Sequence, residues 1–332
     1  MCACKSEKDV VTNKAKDLEN LGYSENAIAN VLSLSEKNQS IFLESYSKNK
    51  ESLIVNKDFK EEYLADYIKY LNVFDLDTTL YLVNNAFVDR LNTIDVYELY
   101  KDKFFIKENI ELYLEYKDNF EETRDLIEWV NCKCYKEYFK DPMDSDPSLG
   151  PLVIVSKIYY LGEYEPNDLV DVDTKYAKSS DWQLRKEAYE NYIEMYEAAK
   201  KDKMDFYITS AYRSYKYQIG IYNRYLQTDS QARVDSYSAR PGYSDHQSGY
   251  TVDILKDGYS FDTFKYSDEA KWLNDNAYKY GFVLRYPEDK QEITGYIPES
   301  WHFRYVGKEA AKIVKENDIT FDEYYAYYVE NK

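Results

Sequence analysis

The chain has 332 residues, which suggests about two domains, and 44% of them are hydrophobic, enough to form a sizeable buried core. Its 43 basic and 61 acidic residues give a net charge of −18, which argues against a nucleic-acid partner, since that needs a basic face. No apolar run reaches the roughly eighteen residues that a membrane-spanning helix requires.

The N-terminus, Met1-Cys2-Ala3-Cys4, has no apolar segment, so as written it is not a signal peptide. A cysteine followed by a short polar linker is what remains after a bacterial lipoprotein signal is removed. We therefore expect an extracytoplasmic protein of the cell envelope, lipid-anchored at Cys2 or Cys4, with Met1 replacing the removed signal. This anchor would be its only contact with a membrane. An ordinary cytoplasmic N-terminus is the alternative.

The cysteines form two Cys-x-Cys pairs, Cys2/Cys4 and Cys132/Cys134. Four are too few for a disulfide framework in a chain of this length. A zinc site with four thiolates is the less favoured alternative, because zinc ligands more often come as Cys-x2-Cys. We interpret Cys132 and Cys134 as incidental thiols.

Residues 1–142 are predicted to form a helical domain. Ser24 is a candidate N-cap for a helix whose apolar residues recur at helical spacing. Two later stretches resemble each other at an offset of 46 residues and indicate a weak helical-hairpin repeat, with coincidence in a helical bundle as the alternative. In the first stretch, Tyr63, Leu64, Tyr67, Ile68 and Leu71 fall on one helical face. The residues that match at this offset are Leu64, Tyr67, Ile68, Leu71, Phe74 and Leu80 in the first stretch and Ile110, Tyr113, Leu114, Lys117, Phe120 and Leu126 in the second.

Turn-forming residues are concentrated at 141–151, and the pattern changes after them. Strands are predicted at 152–155, 206–209 and 250–254. Helices are predicted around 182–201 and from 268 to 280, the second ending at Gly281 as a C-cap glycine. Residues 143–332 therefore form a predicted α+β domain.

The two histidines of the chain each have an acidic neighbour in sequence. Asp253 follows His246 by seven residues, and Glu299 precedes His302 by three. Two imidazoles and one carboxylate can hold a catalytic zinc, and a further carboxylate can act as general base. Asp253, at the end of a predicted strand, suits a ligand, and Glu299 suits the base. Two hydrogen-bonded histidines without an ion remain the alternative at this point.

Three blocks resemble the D-alanyl-D-alanine carboxypeptidase family of bacterial zinc peptidases, in its VanY-like branch. The first is 210–218 (SAYRSYKYQ), and the second is 238–253 (SARPGYSDHQSGYTVD). The closing block comprises 281–287 (GFVLRYP), 294–296 (TGY) and 299–307 (ESWHFRYVG). The order and spacing of these blocks make the resemblance specific. It implies the hedgehog/DD-peptidase fold with an antiparallel sheet.

The resemblance implies a role for each matching residue. His246, Asp253 and His302 would bind Zn²⁺, and Glu299 would be the general acid and base. Arg213 would stabilise the oxyanion. The residues implied to hold the substrate are Arg213, Gln218, Ser244 and Trp301. Three positions depart from the family pattern without removing a ligand or the base: Asp245, Thr251 and Ser300.

The implied reaction is hydrolysis of the terminal D-Ala-D-Ala bond of a peptidoglycan stem peptide by zinc-bound water. L,D-carboxypeptidase action and endopeptidase cleavage of stem peptides are alternatives. A non-catalytic zinc-bearing module that binds the cell wall is another, although such a module needs no base at the metal. The helical domain could also recruit a protein partner that the sequence does not identify.

The charge of one segment of the sequence is consistent with an anionic substrate. Residues 201–250 carry more basic than acidic residues and include Arg213, Arg224, Arg233 and Arg240. A peptide with a free carboxylate would be attracted there.

Overall fold

The computed structural model describes residues 7–85 and 98–331, and the chain divides into two compact units, Met1–Lys117 and Asp118–Lys332. The predictions for Cys2 and Cys4 lie outside the described residues. Among the helices that are described, none combines the length and the apolar character needed to cross a membrane.

The first unit is helical, as the sequence predicted. Its described α-helices include α1 (Glu7–Leu21), α2 (Glu25–Ser33), α3 (Glu36–Glu44), α4 (Lys48–Ile54), α5 (Leu64–Leu71), α6 (Leu76–Asn84) and α7 (Ile110–Tyr116). Side-chain caps fix where some of them begin. The Ser24 hydroxyl accepts a hydrogen bond from the Ala27 amide, as predicted, and Asp75 caps α6 through the Thr78 amide. Buried residues from most of these helices share one apolar core.

The two stretches of the predicted repeat have the same local structure. A 3₁₀ turn at Glu61–Tyr63 leads into α5, and another at Lys107–Asn109 leads into α7. Leu64 and Ile110, which open the two helices, are both buried. The helices that follow are α6 and α8 (Thr123–Asn131), and α8 lies in the second unit.

The second unit combines helices with short strands. Its helices after α8 are α9 (Lys186–Lys201), α10 (Tyr215–Tyr225), α11 (Gln231–Tyr237), α12 (Asp268–Asn276), α13 (Gln291–Thr294), α14 (Lys308–Asn317) and α15 (Phe321–Tyr325). Its strands are β1 (Met143–Asp144), β2 (Tyr159–Tyr160), β3 (Leu169–Asp171), β4 (Gln183–Arg185), β5 (Tyr207–Ser210), β6 (Thr251–Leu255), β7 (Phe282–Leu284) and β8 (His302–Tyr305).

An antiparallel sheet in the order β5-β6-β8-β7 forms the centre of this unit, and it confirms the predicted α+β class. All five residues of β6 are buried, because strands flank it and helices cover the sheet. Asp253 on β6 lies directly opposite His302 on β8 in the register of the two strands. A register irregularity between Ile208 and Ser210 ends β5 beside Asp253. The sheet therefore presents polar side chains at one end of an otherwise apolar core.

Two predicted elements of this unit are confirmed at slightly different bounds. The predicted helix around 182–201 is α9, preceded by β4. The helix that begins at Asp268 changes to a 3₁₀ helix at Ala277–Tyr280, and Gly281 follows it at φ +84°. A Cβ on this glycine would lie 2.6 Å from the Tyr305 ring, so the position suits only glycine.

The prediction of a strand at 152–155 is wrong. Residues 147–152 form 3₁₀ turns, and the buried residues after them pair with no strand. Their carbonyl groups accept hydrogen bonds from guanidinium groups instead: Arg304 binds the Val153 oxygen at 2.6 Å, and Arg285 approaches the Val155 oxygen at 3.5 Å. An apolar run can thus be buried without joining a sheet when side chains satisfy its backbone.

The domain boundary predicted at 142/143 stays a prediction. The division between the two compact units falls between Lys117 and Asp118 in the sequence, so residues 118–142 belong to the second unit. These residues group with the second unit because they include α8, which packs on α13. Glu128 on α8 also forms an ion pair with Lys290.

Candidate metal centre and active site

Three elements bring the predicted metal ligands together. His246 lies on a 3₁₀ turn (Asp245–Ser248), Asp253 on β6 and His302 at the start of β8. All three side chains are buried, and their ligand atoms lie within 4.8 Å of one another. The chain reverses after His246 at Gly249, whose φ of +75° lets it enter β6.

The distances from the Asp253 carboxylate to the two imidazoles are close to the spacing of ligand atoms around a tetrahedral ion. Asp253 Oδ2 lies 3.2 Å from His246 Nε2, and Asp253 Oδ1 lies 3.3 Å from His302 Nδ1. Ligand bonds of about 2.0–2.1 Å in tetrahedral geometry place donor atoms roughly 3.3 Å apart. The Nδ1 atom of His246 lies 2.7 Å from the Ala211 carbonyl, which leaves Nε2 to face the cluster. Neither His246 Nε2 nor Asp253 Oδ1 has a hydrogen-bond partner, although both are buried.

The charges around the cluster also fit a cation. Burial lowers the pKa of His246 to about 4, so its ring is neutral, as a metal ligand must be. Burial would lower the pKa of His302 too, but the carboxylates of Asp245, Asp253 and Glu299 raise it well above its ordinary value. Three carboxylates thus surround one imidazole, and these surroundings favour a positive charge at the centre. The residues present therefore fit a metal.

Asp245 lies behind His302, on the Nε2 side of the ring. Its Oδ2 lies 3.5 Å from His302 Nε2 and accepts a hydrogen bond from Thr251 Oγ1 at 2.8 Å. This arrangement leaves Nδ1 of His302 for the cluster. Two departures from the family pattern, Asp245 and Thr251, therefore contact each other behind the metal centre.

Glu299 lies beside the ligands on the opposite side. Its Oε2 is 3.1 Å from His302 Nδ1. Burial raises the pKa of Glu299, and the nearby carboxylate of Asp253 raises it further. A carboxylate with a raised pKa takes up a proton more readily than an ordinary one, which suits a general base that later acts as the acid.

Arg213 joins the cluster from the loop after β5. Its Nη2 lies 3.2 Å from Asp253 Oδ2, its Nε donates to Ser210 Oγ at 3.1 Å, and its Nη1 donates to Gln218 Oε1 at 3.3 Å. Gln218 is 1% exposed and donates in turn to the Ala239 carbonyl at 2.8 Å. Gln218 therefore positions Arg213 and does not line the cavity.

A cavity of about 660 Å³ opens above the cluster. The predicted substrate residues Arg213, Ser244 and Trp301 line it together with Glu299. The Trp301 ring packs against Phe261 with centroids 4.9 Å apart and forms part of the wall.

The sequence did not single out several residues that build the site. Tyr286 and Tyr296 are buried and line the cavity, and the Tyr286 ring lies 4.8 Å from that of His302. Arg285 and Arg304 are completely buried near Asp245. The sequence held one signal for these two arginines. Arg285 directly follows the apolar residues of β7, and Arg304 lies within β8, so each is a charged residue in an otherwise apolar part of the closing block.

Comparison with known proteins gives the same family as the sequence blocks. The family model for VanY, D-alanyl-D-alanine carboxypeptidase, matches residues 181–308. YodJ of Bacillus subtilis (strain 168), named as a carboxypeptidase, is 41% identical over 181 residues, which cover 52% of this chain and 66% of that protein. VanXYC of Enterococcus gallinarum, named a bifunctional D-Ala-D-Ala dipeptidase and D-Ala-D-Ala carboxypeptidase, is 38% identical over 128 residues, 37% of this chain and 67% of that protein.

A solved structure of the LdcB LD-carboxypeptidase matches with a TM-score of 0.54 and 36% identity, over 57% of this chain and 92% of that chain. The chain spans about half to two thirds of the length of the curated relatives it matches. The site geometry and these matches lead to one conclusion: the chain belongs to the VanY family of D-alanyl-D-alanine carboxypeptidases.

Proposed function

We propose that this protein is a zinc-dependent carboxypeptidase that hydrolyses the terminal D-Ala-D-Ala bond of peptidoglycan stem peptides. The observation that supports this most strongly is the convergence of His246, Asp253 and His302 on one point, with Glu299 beside them. A binding module would not need a partly buried carboxylate with a raised pKa at that position. The family membership supplies the substrate class.

Zinc suits this donor set better than other common ions, because two imidazole nitrogens and one carboxylate oxygen match its preference. His246 Nε2, Asp253 and His302 Nδ1 would hold it. When bound, zinc acts as a Lewis acid that polarises the scissile carbonyl and lowers the pKa of water.

The proton transfers belong to Glu299. Its carboxylate accepts the proton of the attacking water and later gives it to the leaving amine of D-alanine.

Arg213 stabilises negative charge that develops on the substrate. Three hydrogen-bond acceptors, Ser210, Gln218 and Asp253, fix its guanidinium before the substrate arrives. A preorganised donor of this kind costs no reorganisation during the reaction. Trp301 and Ser244, on the walls of the cavity, would contact the peptide.

Product mass tests the proposal. The zinc-loaded full chain is incubated with a stem pentapeptide that ends in D-Ala-D-Ala, and we expect a tetrapeptide and free D-alanine. Removal of the ion by a chelator should abolish the products, and added zinc should restore them. An intact pentapeptide with the zinc-loaded protein would contradict the proposal.

A second candidate is L,D-carboxypeptidase action on a tetrapeptide stem. The observation that favours it is the likeness to the LdcB LD-carboxypeptidase, of which this chain covers 92%. The same assay with a tetrapeptide separates the two candidates. Release of D-alanine from the tetrapeptide at a higher kcat/KM than from the pentapeptide would select the L,D activity.

We also propose that the protein works outside the cytoplasm, because its proposed substrate is part of the cell wall. Fractionation of the native bacterium would test this, with the protein expected in the envelope fraction. Metabolic labelling with a fatty acid would test the proposed lipid at Cys2 or Cys4.

A further inference from the structure

Behind the metal centre lies a buried group of four charges, which we call the arginine–aspartate cluster: Asp245, Arg285, Arg304 and Asp322. The side chains of the first three are completely buried, and that of Asp322 is 11% exposed. The cluster contains two positive and two negative charges and is neutral as a whole. Buried charges are stable only when each has a partner, so each member depends on the others.

Arg304 is held from every side. Its Nη1 donates to Asp245 Oδ1, and its Nη2 donates to the carbonyls of Val153 and Pro151 at 2.6 and 3.1 Å. Its Nε donates to the Tyr305 carbonyl at 3.0 Å. This arginine therefore has one fixed position, with a single contact to Asp245.

Asp322 makes the short hydrogen bonds of Arg285. The two terminal nitrogens of Arg285 donate to the two carboxylate oxygens of Asp322, and a third hydrogen bond, to the Val155 carbonyl, is long at 3.5 Å. The guanidinium also lies over the Tyr286 ring, 4.9 Å from its centroid. Its Nε is buried without a hydrogen-bond partner and lies 3.9 Å from Asp245 Oδ2. Asp322 thus holds the Arg285 guanidinium so that its Nε stays 3.9 Å from Asp245 Oδ2, beyond hydrogen-bond distance.

The oxygen that Arg285 faces is also the carboxylate oxygen nearest His302 Nε2, which is likewise buried without a hydrogen-bond partner. Asp245 Oδ2 lies 3.5 Å from His302 Nε2 and binds Thr251 Oγ1. If Arg285 moved onto this oxygen, it would compete with the imidazole for it. His302 would then lose the contact that directs its Nδ1 toward the metal ligands.

We propose that Asp322 is a positioning residue of the metal centre, acting through Arg285 and Asp245 on His302. By binding both terminal nitrogens of Arg285, it reserves Asp245 Oδ2 for His302. Asp322 lies on α15, which follows the segment 181–308 that the family model matches. The C-terminal helix of this chain therefore contributes to the metal centre. This inference depends on the proposed function only in that the centre binds a metal.

The test is the zinc affinity of Asp322→Asn in the full chain, measured by competition with a chromophoric chelator. Loss of a supporting carboxylate in a metal site typically weakens binding by 10–100-fold, and we expect about tenfold here, because Asp322 acts through two other residues. The absorption spectrum of the cobalt-substituted protein should also change, since it reports ligand geometry.

Glu323→Gln is the matched control. Glu323 is a buried neighbour on α15 that binds Lys290, which is not a member of the cluster, so zinc affinity should stay within twofold of the parent.

Two further variants separate this role from a loss of folding. Asp322→Glu keeps the charge and should recover most of the affinity. In the double variant Asp322→Asn/Arg285→Gln the competing guanidinium is gone, so zinc affinity should return to within threefold of the parent. If Asp322→Asn does not fold, the double variant decides the question.

Three results would overturn the inference: parent affinity and an unchanged cobalt spectrum in Asp322→Asn, an equal loss in Glu323→Gln, or no recovery in the double variant. Failure of the parent to bind zinc would instead contradict the proposed function.

Discussion

Asp253, which is buried, and Glu299, which is partly buried, contact the same imidazole and have opposite shifts in pKa. Burial raises the pKa of Glu299, whereas the neighbouring imidazoles of His246 and His302 outweigh burial and hold the pKa of Asp253 well below its ordinary value. A group that stays ionised suits a metal ligand, and a group that takes up protons more readily suits a base. The local surroundings thus separate the two roles.

Replacement of Glu299 by Gln tests this division. The amide keeps the size of the side chain but cannot accept a proton, so we expect kcat to fall by about 10²–10⁴-fold, the usual contribution of a positioned base. Zinc affinity should stay near that of the parent, because Glu299 is not among the ligands. Stopped-assay kinetics and metal analysis measure the two effects. Activity near the parent level in Glu299→Gln would show that another group is the base.

The sequence predicted most of the residues at the centre, because each lies in a short local motif of the family. The layer behind them could not be predicted from the residues. Asp322 pairs with Arg285 across 37 positions, and Arg304 binds the carbonyl of Val153 across 151. No local pattern specifies such pairs. Gln218 is a related case, since its place in the motif indicated the substrate, whereas it binds Arg213.

At the scale of elements, one turn at Gly249 connects the 3₁₀ turn that carries His246 to the strand that carries Asp253. Gly249 follows the 3₁₀ turn that carries His246, at φ +75°, and its amide donates to the His246 carbonyl at 3.2 Å. A Cβ at this position would lie 2.7 Å from Cγ of Arg185. The turn thus needs both the left-handed backbone and the space that glycine leaves.

We expect Gly249→Ala to reduce the free energy of unfolding by about 1–3 kcal/mol, from left-handed backbone strain and the contact with Arg185. Chemical denaturation of the two proteins measures the difference. Gly220→Ala is the matched control, because Gly220 lies within α10 and a Cβ added there would meet no other atom within 4 Å. Alanine at this position should stabilise the helix by up to about 1 kcal/mol. Equal stabilities of Gly249→Ala and the parent would refute the requirement for glycine.

The strands show that a run of apolar residues predicts a strand in some places and not in others. β5 and β6 appear where the apolar runs at 206–209 and 250–254 predicted them. The run at 152–155 has the same apolar character but lies beside buried guanidinium groups, which bind its carbonyls. Composition predicts burial of such a run, but its hydrogen-bond partners depend on distant residues.

At the scale of the whole molecule, the metal centre belongs entirely to the second compact unit. Residues 118–332 contain the apolar core around the sheet and every residue assigned to the site. We expect this segment alone to unfold cooperatively and to keep kcat/KM on small stem peptides within about threefold of the full chain. Loss of activity in a folded 118–332 segment would assign a catalytic contribution to the helical unit.

A buried lysine links stability to pH. Lys157 is 5% exposed, and its ammonium lies 4.4 Å from the centroid of Tyr296. Burial lowers the pKa of Lys157 to about 8 from an ordinary value of 10.5. The unfolded chain therefore binds more protons between these two values, so this group makes the free energy of unfolding rise as the pH rises through that window.

Lys157→Met should lack this contribution, because methionine does not titrate. Denaturation curves of both proteins between about pH 7 and pH 10 should show a steeper rise with pH for the parent than for the variant. Parallel curves would mean that Lys157 keeps an ordinary pKa in the folded protein.

The cross-strand pairing of Asp253 and His302 has a consequence for how the molecule opens. An ion held by both residues, as well as by His246, would clamp two neighbouring strands and the preceding turn together. Occupancy at a hundred times the dissociation constant adds about 2.7 kcal/mol to stability. Backbone amides of the central sheet should then exchange with deuterium more slowly as ion occupancy rises. The ion would thus stabilise the fold in addition to its part in catalysis.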